Sequence, residues 1–517
     1  MGYRKETYAW SLTLFLVFFV IYTKFMSYDF NFDGIVFADV IEHPSAEGLF
    51  HGNHLLFNYV HYKLYFLLQK LGIVCRGIFF LSVMDAFWGA LGIALFYLLL
   101  RRYFTGLLAL CGSLLLGCSF SYWYYSVEAQ VYQIANIPMI ISLGLLLALT
   151  RKENTTNGKF IVLGLIHASG VLFHIINVLL WPVINAVIYR TQNDRKWQKL
   201  IIYNVFFFSS VIAGYAVAAR YILHLSSWSQ FWKWFLGNAY TLALSKETYW
   251  NTKIWMMLGS TFTGWVDTWL SWPGNHIWKI SRMILVVSSV LLLVKAFKNG
   301  KTVWPAEKEK VILALLWLGT YSLFLSVWCQ GNIGYRLFIV PVFIFLVLLL
   351  IKSSTTGKKI WFLILACVVL LIYNLANGIY PRSIPANNQT LLKTMFIGEN
   401  IPLEGYLIMG GNSFPFALGR VYVPYFTGFQ GTSLYGYFYR TGEKDFTALG
   451  QLINERLNKG KKVFLLSEVL KDNQGKAAFE YNFSLPAGSI DRFFSQYSVS
   501  SFKKYNDDVE VFQLKKK

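Results

Sequence analysis

Residues 8–26 read YAWSLTLFLVFFVIYTKFM, with Lys24 the single charge, and this stretch decides the class of fold. Crossing a bilayer as a helix takes about 20 mainly apolar residues, because every backbone N–H and C=O must find its partner inside the segment. No small-residue cleavage site follows the run, so it reads as an anchor rather than a removed signal peptide. Arg4 and Lys5 precede it, which places the N-terminus in the cytoplasm.

The rest of the chain has the same character. Of 517 residues, 56% are hydrophobic, 18% aromatic and only 14% charged, against about 25% charged in soluble domains. The net charge of +21 would suit nucleic-acid binding on a soluble basic face. Long apolar runs favour a polytopic membrane protein with Lys and Arg gathered in its cytoplasmic loops. Such clusters stand at Arg101 and Arg102, at Arg151, Lys152 and Lys159, at Arg190, Arg195, Lys196 and Lys199, at Lys295, Lys298 and Lys301, and at Lys352, Lys358 and Lys359. Spans are predicted at 8–26, 78–100, 106–121, 131–149, 160–175, 176–190, 201–222, 281–297, 311–328, 335–351 and 360–378, about eleven in all. The pair over 160–190 reads either as a tight hairpin or as one buried helix. Segments 53–70 and 254–272 read as interfacial or re-entrant helices. The five cysteines have no metal-ligand or disulfide-like spacing and read as small hydrophobes.

Residues 380–517 differ, with 17 Lys and Arg and 12 Asp and Glu. GYLIMGG at 405–411, KKVFLLSE at 461–468 and VEVFQL at 509–514 read as strands, and DFTALGQLINERL at 445–457 as an amphipathic helix. The chain thus divides into a membrane domain, 1–379, and a soluble α/β domain, 380–517. An odd number of spans puts the latter outside.

Three outer stretches hold the candidate chemistry. The first is SYDFNFDGIVFADVIEHPSAEGLFHGNHLLFNYVHY, 27–62, where Asp29, Asp33, Asp39, Glu42 and Glu47 stand with no Lys or Arg before His51. Acidic residues collecting on the translocated side is the plain explanation; a carboxylate acting as general base at the membrane surface is the functional one. Asp33 precedes Gly34, where the chain can turn sharply toward a ligand, and is the preferred base. Asp39 and Glu42, three apart, share a helical face and could hold a divalent cation, Mg or Mn, or decorate a solvated helix. His51, His54 and His61 lack a common zinc spacing. They suit structural roles or hydrogen bonding to a sugar or phosphate.

The second stretch is SYWYYSVEAQVYQIANIP, 121–138, where Glu128, Gln130 and Tyr132 stand among interfacial aromatics and the buried carboxylate implies a partner. The third is WCQGNIGYRLFIVPVF, 328–343. Arg336 enters a span there from the outer side, with a planar fork suited to phosphate or to lipid headgroups. Arg220 with His224, and His174 with Asn177, are lesser candidates of the same kind.

At these stretches the chain resembles the GT-C membrane glycosyltransferases, in the branch of protein O-mannosyltransferase-like proteins. The family's early outer-loop Asp is matched by Asp33, its HPPGYPL-like helix entry by HGNHLLF at 51–57, and its WYYAVQAEVYALN-like segment by WYYSVEAQVYQIA at 123–135. A late Arg with Pro is matched by YRLFIVPVF, and the branch's TxGDNDTFPLWYL segment by GYLIMGGNSFPFALG at 405–419. Val36 stands where the branch often has Glu, and the tail segment lacks its acidic positions.

The resemblance implies transfer of a sugar from a polyprenyl-phosphate donor to a protein, lipid or glycan acceptor on the extracytoplasmic side of a membrane, a bacterial cytoplasmic membrane being the expectation. It casts Asp33 as base and Arg336 as phosphate ligand, with Asp39, Glu42, His51, His54, Glu128, Gln130, Tyr132 and His174 lining the substrates. It needs no nucleotide and no nucleic acid. A transporter or flippase of lipid-linked sugars is the alternative, but the paired interrupted repeats common in transporters are not evident.

Overall fold

The computed structural model describes residues 2–151, 156–192, 194–237, 254–272, 274–299, 303–352, 357–506 and 509–517. Lys152 and Lys301, counted above among the cytoplasmic clusters, lie outside them. The chain forms two compact units, one of Met1–Ser27 with Phe37–Ser383, the other of Tyr28–Val36 with Ile384–Lys517.

The first unit is helical. Five helices are long and apolar enough to cross a membrane: Lys5–Lys24, Gly77–Leu100, Tyr132–Leu149, Lys196–Ile222 and Lys308–Trp328. Gly106–Cys118 and Phe120–Ser126 make a sixth candidate if the pair, bent by 64°, counts as one span. Asn157–Phe173, Ile175–Thr191, Val340–Lys352 and Leu363–Ile379 are apolar but shorter. Among the described residues, then, five or six of the eleven expected spans have full length. The expected span at 281–297 lies in the 24-residue helix His276–Asn299, and the run over 160–190 is interrupted.

The doubtful 160–190 run is broken at His174, whose backbone is extended at φ −157° and ψ 117°. Its ring Nδ1 accepts the Ile176 N–H at 3.3 Å and starts a short 3-10 turn, Ile175–Leu179. The run is therefore not one continuous helix. Elsewhere small residues let helices approach closely, as apolar helix packing in lipid requires. A Cβ on Gly89 would meet Ser126, and one on Gly92 would meet the Tyr122 hydroxyl, which instead donates to the Gly89 carbonyl at 2.9 Å.

The second unit is built on a five-stranded sheet of order β2-β1-β3-β5-β4, with β1 at Tyr406–Met409, β2 at Gly431–Ser433, β3 at Val463–Leu466, β4 at Tyr497–Lys504 and β5 at Glu510–Lys516. β1 runs parallel to β2 and β3, while β5 is antiparallel to β3 and β4. Sequences YLIM and VFLL are buried at every position, as central strands covered on both faces must be. Tyr406, Ile408, Val463 and Leu465 enter one core, and Leu407, Met409, Phe464 and Leu466 the other. GYLIMGG, KKVFLLSE and VEVFQL thus supply β1, β3 and β5. β2 is too short and β4, YSVSSFKK, too polar to stand out in the sequence.

Residues 28–36 are fixed to this unit by contacts that chain order does not suggest. The Asn388 side chain donates to the Tyr28 carbonyl at 2.6 Å, Tyr422 donates to the Phe30 carbonyl, and Phe30 packs on Tyr422 and Phe426.

Glu468, directly after β3, is buried and accepts the N–H groups of Gly410 at 2.8 Å and Phe416 at 2.9 Å, clamping the loop after β1. Burial raises its pKa from 4.5 to about 7, against the lowering effect of those two bonds. A carboxyl raised in the folded state stabilises fully below its unfolded value and loses that contribution as pH climbs through its folded one. Melts between pH 4.5 and 7 should therefore show falling stability, and Glu468→Gln should flatten that slope. The same variant sets an amide NH2 against one backbone N–H and should cost about 1 kcal/mol at low pH.

Candidate active site

Each of the three outer stretches contributes side chains whose surroundings now define them. Asp33 sits in the first turn of helix Phe32–Glu42. Its side chain reaches solvent, yet the protein around it desolvates the carboxyl and raises its pKa from 3.8. It belongs to the second unit; the other sequence-derived candidates belong to the first.

Asp39 and Glu42, further along the same helix, are already engaged. Asp39 pairs with His43 Nδ1 at 3.1 Å in an exposed i,i+4 contact. Glu42 accepts the Gly77 N–H and lies 3.7 Å from Arg76 Nε, bracing the start of helix Gly77–Leu100. Among the described residues no group of three or more His, Cys, Asp or Glu is placed to hold a metal ion.

The histidines separate by role. His61 bonds the Phe57 carbonyl through Nδ1 at 2.8 Å and accepts the Trp88 indole N–H at Nε2, 3.2 Å, so both nitrogens serve the packing of its helix. His51 and His54 form a tight turn in which their rings stack at 4.8 Å, and the His54 ring lies 5.4 Å from that of His174. Desolvation lowers the pKa of both His51 and His54; neutral imidazoles can each donate one hydrogen bond and accept another. His54 Nδ1 is buried without a partner among the described residues.

Tyr132 links this cluster to the other stretches. It stacks on His174 at 5.5 Å, meets Tyr125 at 4.6 Å and lies 6.0 Å from Tyr335, which is itself 5.5 Å from His174. Gly334 permits the approach, since a Cβ there would stand 2.6 Å from the Tyr132 ring and 3.0 Å from the Tyr125 hydroxyl. His51, His54, Tyr132 and His174 thus converge, although they lie far apart in the chain.

Glu128 and Gln130 sit in the non-helical turn between Phe120–Ser126 and Tyr132–Leu149. Glu128 is 1% exposed and pairs with Arg382 at 3.8 Å; Arg382 also donates to the Tyr124 hydroxyl at 3.0 Å. The Gln130 N–H goes to Asp85 at 2.8 Å. Asp85 was absent from the sequence-derived candidates, although a lone carboxylate inside a 24-residue apolar helix is a strong signal. Arg382 and Tyr335 were also missed; neither breaks a pattern that sequence alone reveals. Asp85→Ala should strand the buried Gln130 N–H and cost about 1–3 kcal/mol, read as a lower melting temperature in detergent, whereas Asp85→Asn keeps an acceptor and should melt near wild type.

Arg336 is 1% exposed, at the end of the short helix Ile333–Arg336 capped by Asn332. Its guanidinium donates to the carbonyls of Asn332 at 2.9 Å, Thr261 at 3.4 Å and Gln330, while its buried Nε–H has no acceptor among the described residues.

Residues 62–198 match the family model of the protein O-mannosyl-transferase TMEM260 N-terminal domain. The fold is similar to ArnT from Cupriavidus metallidurans, in the crystal structure bound to undecaprenyl phosphate and in the apo state, each with TM-score 0.61 and 11% identity over 99% of this chain and 98% of that one. The chain has the GT-C glycosyltransferase fold. The Archaeoglobus fulgidus oligosaccharyltransferase in complex with Zn and sulfate is also similar, with TM-score 0.49 and 12% identity over 97% of this chain and 73% of that one. No curated protein sequence matches. The family-model segment spans Glu128, Gln130, Tyr132 and His174, and lies between Asp33 and Arg336 in the sequence. The apolar helices and this fold make it an integral membrane protein.

Proposed function

We propose that the protein transfers a sugar, a hexose such as mannose, from a polyprenyl-phosphate donor to an acceptor hydroxyl on the extracytoplasmic side of a bacterial cytoplasmic membrane. The observation that carries this reading is the convergence of His51, His54, His174, Tyr132 and Tyr335, beside Arg336 in sequence. Neutral imidazoles and phenols offer the hydrogen bonds that a sugar and its phosphate need. The undecaprenyl phosphate held by ArnT supports a polyprenyl-phosphate donor here.

In the reaction the acceptor oxygen attacks the anomeric carbon, the bond from that carbon to the phosphate oxygen breaks, and polyprenyl phosphate leaves. Asp33 takes the hydroxyl proton, helped by its raised pKa. Arg336 offsets the charge that grows on the phosphate, its Nε–H being a donor left unclaimed among the described residues. A divalent cation on Asp39 and Glu42 is less well supported because both carboxylates have protein partners.

Purified protein in lipid vesicles, given a radiolabelled polyprenyl-phosphate-linked hexose and a membrane extract as acceptor source, tests the reading. Label should leave the lipid fraction and enter protein or glycan. Label that crosses the bilayer while still lipid-linked would instead point to transport, and loss of transfer on chelation, restored by Mg or Mn, would bring back the metal.

A further inference from the structure

The second unit carries a cavity of about 560 Å³, formed by residues 444–454 and 485–497. That volume falls within the range of about 300–1,000 Å³ typical of small-ligand sites. Its base is aromatic. Phe446 stacks on Phe493 with centroids 4.6 Å apart and planes at 17°, and Phe493 meets Tyr497 at 5.8 Å.

Polar side chains complete the lining. Gln451, Asn454 and Gln496 bring amides from both sides of the cavity, each able to donate and accept. Lys444, Arg492 and Asp445 supply the charge. The Asp445 carboxylate is occupied by the Thr447 N–H at 2.8 Å. Arg492 bonds only the carbonyls of Gly488 at 3.4 Å and Ala487 at 3.2 Å. Neither Arg492 nor Lys444 forms an ion pair among the described residues, so the cavity keeps a net positive charge.

An aromatic base, amides and a net positive charge together suit one ligand chemistry. The C–H face of a pyranose packs on aromatic rings, whose faces are weakly negative. Its hydroxyls take amide bonds, and a phosphate or carboxylate on it meets Lys444 and Arg492. We propose that this cavity binds an anionic saccharide, a sugar bearing phosphate or carboxylate, as part of the acceptor. The inference rests on the transfer reading above and narrows its acceptor to an anionic glycan.

The full-length protein in detergent micelles, titrated with a hexose 6-phosphate and followed by calorimetry and saturation-transfer NMR, tests it. Saturable binding near about 1 mM is expected, with the neutral hexose and inorganic phosphate each weaker. The Gln451→Ala/Arg492→Ala variant changes two exposed side chains and should weaken binding tenfold or more. Asp33→Asn should leave it unchanged. Absence of saturation, equal affinity for inorganic phosphate, preference for an acidic peptide, or no loss in the double variant would each overturn the proposal. Binding without any detectable transfer would remove the transferase reading and leave the cavity's ligand class standing; transfer without binding would do the reverse.

Discussion

Asp33→Asn should lower sugar transfer by about 100- to 10,000-fold, the usual contribution of a positioned general base, while the variant folds and inserts like wild type. The substitution is nearly isosteric, and the carboxylate is exposed with no hydrogen bond or ion pair of its own among the described residues, so little stability is at stake. The pH profile offers a second readout. A base must be deprotonated to act, and desolvation lifts this carboxyl above 3.8. Wild-type transfer should therefore fall as pH drops through the raised value, and the residual activity of Asp33→Asn should lack that limb. Full activity in the variant would remove Asp33 from the mechanism.

The second large effect belongs to Arg336. Arg336→Met strands the carbonyls of Asn332, Gln330 and Thr261 in a half-buried setting, where a lost partner costs up to about 1–3 kcal/mol, and the protein should melt markedly lower. Arg336→Lys separates structure from chemistry. It keeps the charge but cannot reproduce the planar fork, so stability should drop less, while transfer should fall about 100- to 1,000-fold through kcat if the charge acts on the leaving phosphate. A Lys variant that melts lower but turns over at the wild-type rate would make Arg336 a brace for the 330–336 turn and nothing more.

Much of the fold was legible because its signals are local. Apolar runs such as 8–26 and 77–100 announce membrane helices by length alone, and YLIM and VFLL announce strands buried on both faces. The motif around 123–135 could be likened to a family because its Tyr, Glu and Gln stand in one short window, and the family-model match covers that window. Less legible were Asp85, a single carboxylate inside an otherwise apolar helix, and Arg382, whose value depends on Glu128 standing 254 residues earlier. The importance assigned to Asp39 and Glu42 rested on their shared helical face. In the structure Asp39 contacts His43, and Glu42 accepts the N–H at the start of helix Gly77–Leu100.

The sequence by itself determined the solvent of this protein, the position of most apolar helices, the strands of the tail and the three stretches that hold its polar chemistry. Hydrophobic length and period are properties of neighbouring residues, so they survive without a structure. Only the tertiary structure decided that His51 and His54 meet His174 and Tyr132, and that residues 28–36, with Asp33 among them, pack in one unit with Tyr422 and Asn388. Those pairings join residues about 40 to 400 positions apart. They follow from which side chains fill the space between packed elements, and no local pattern records that.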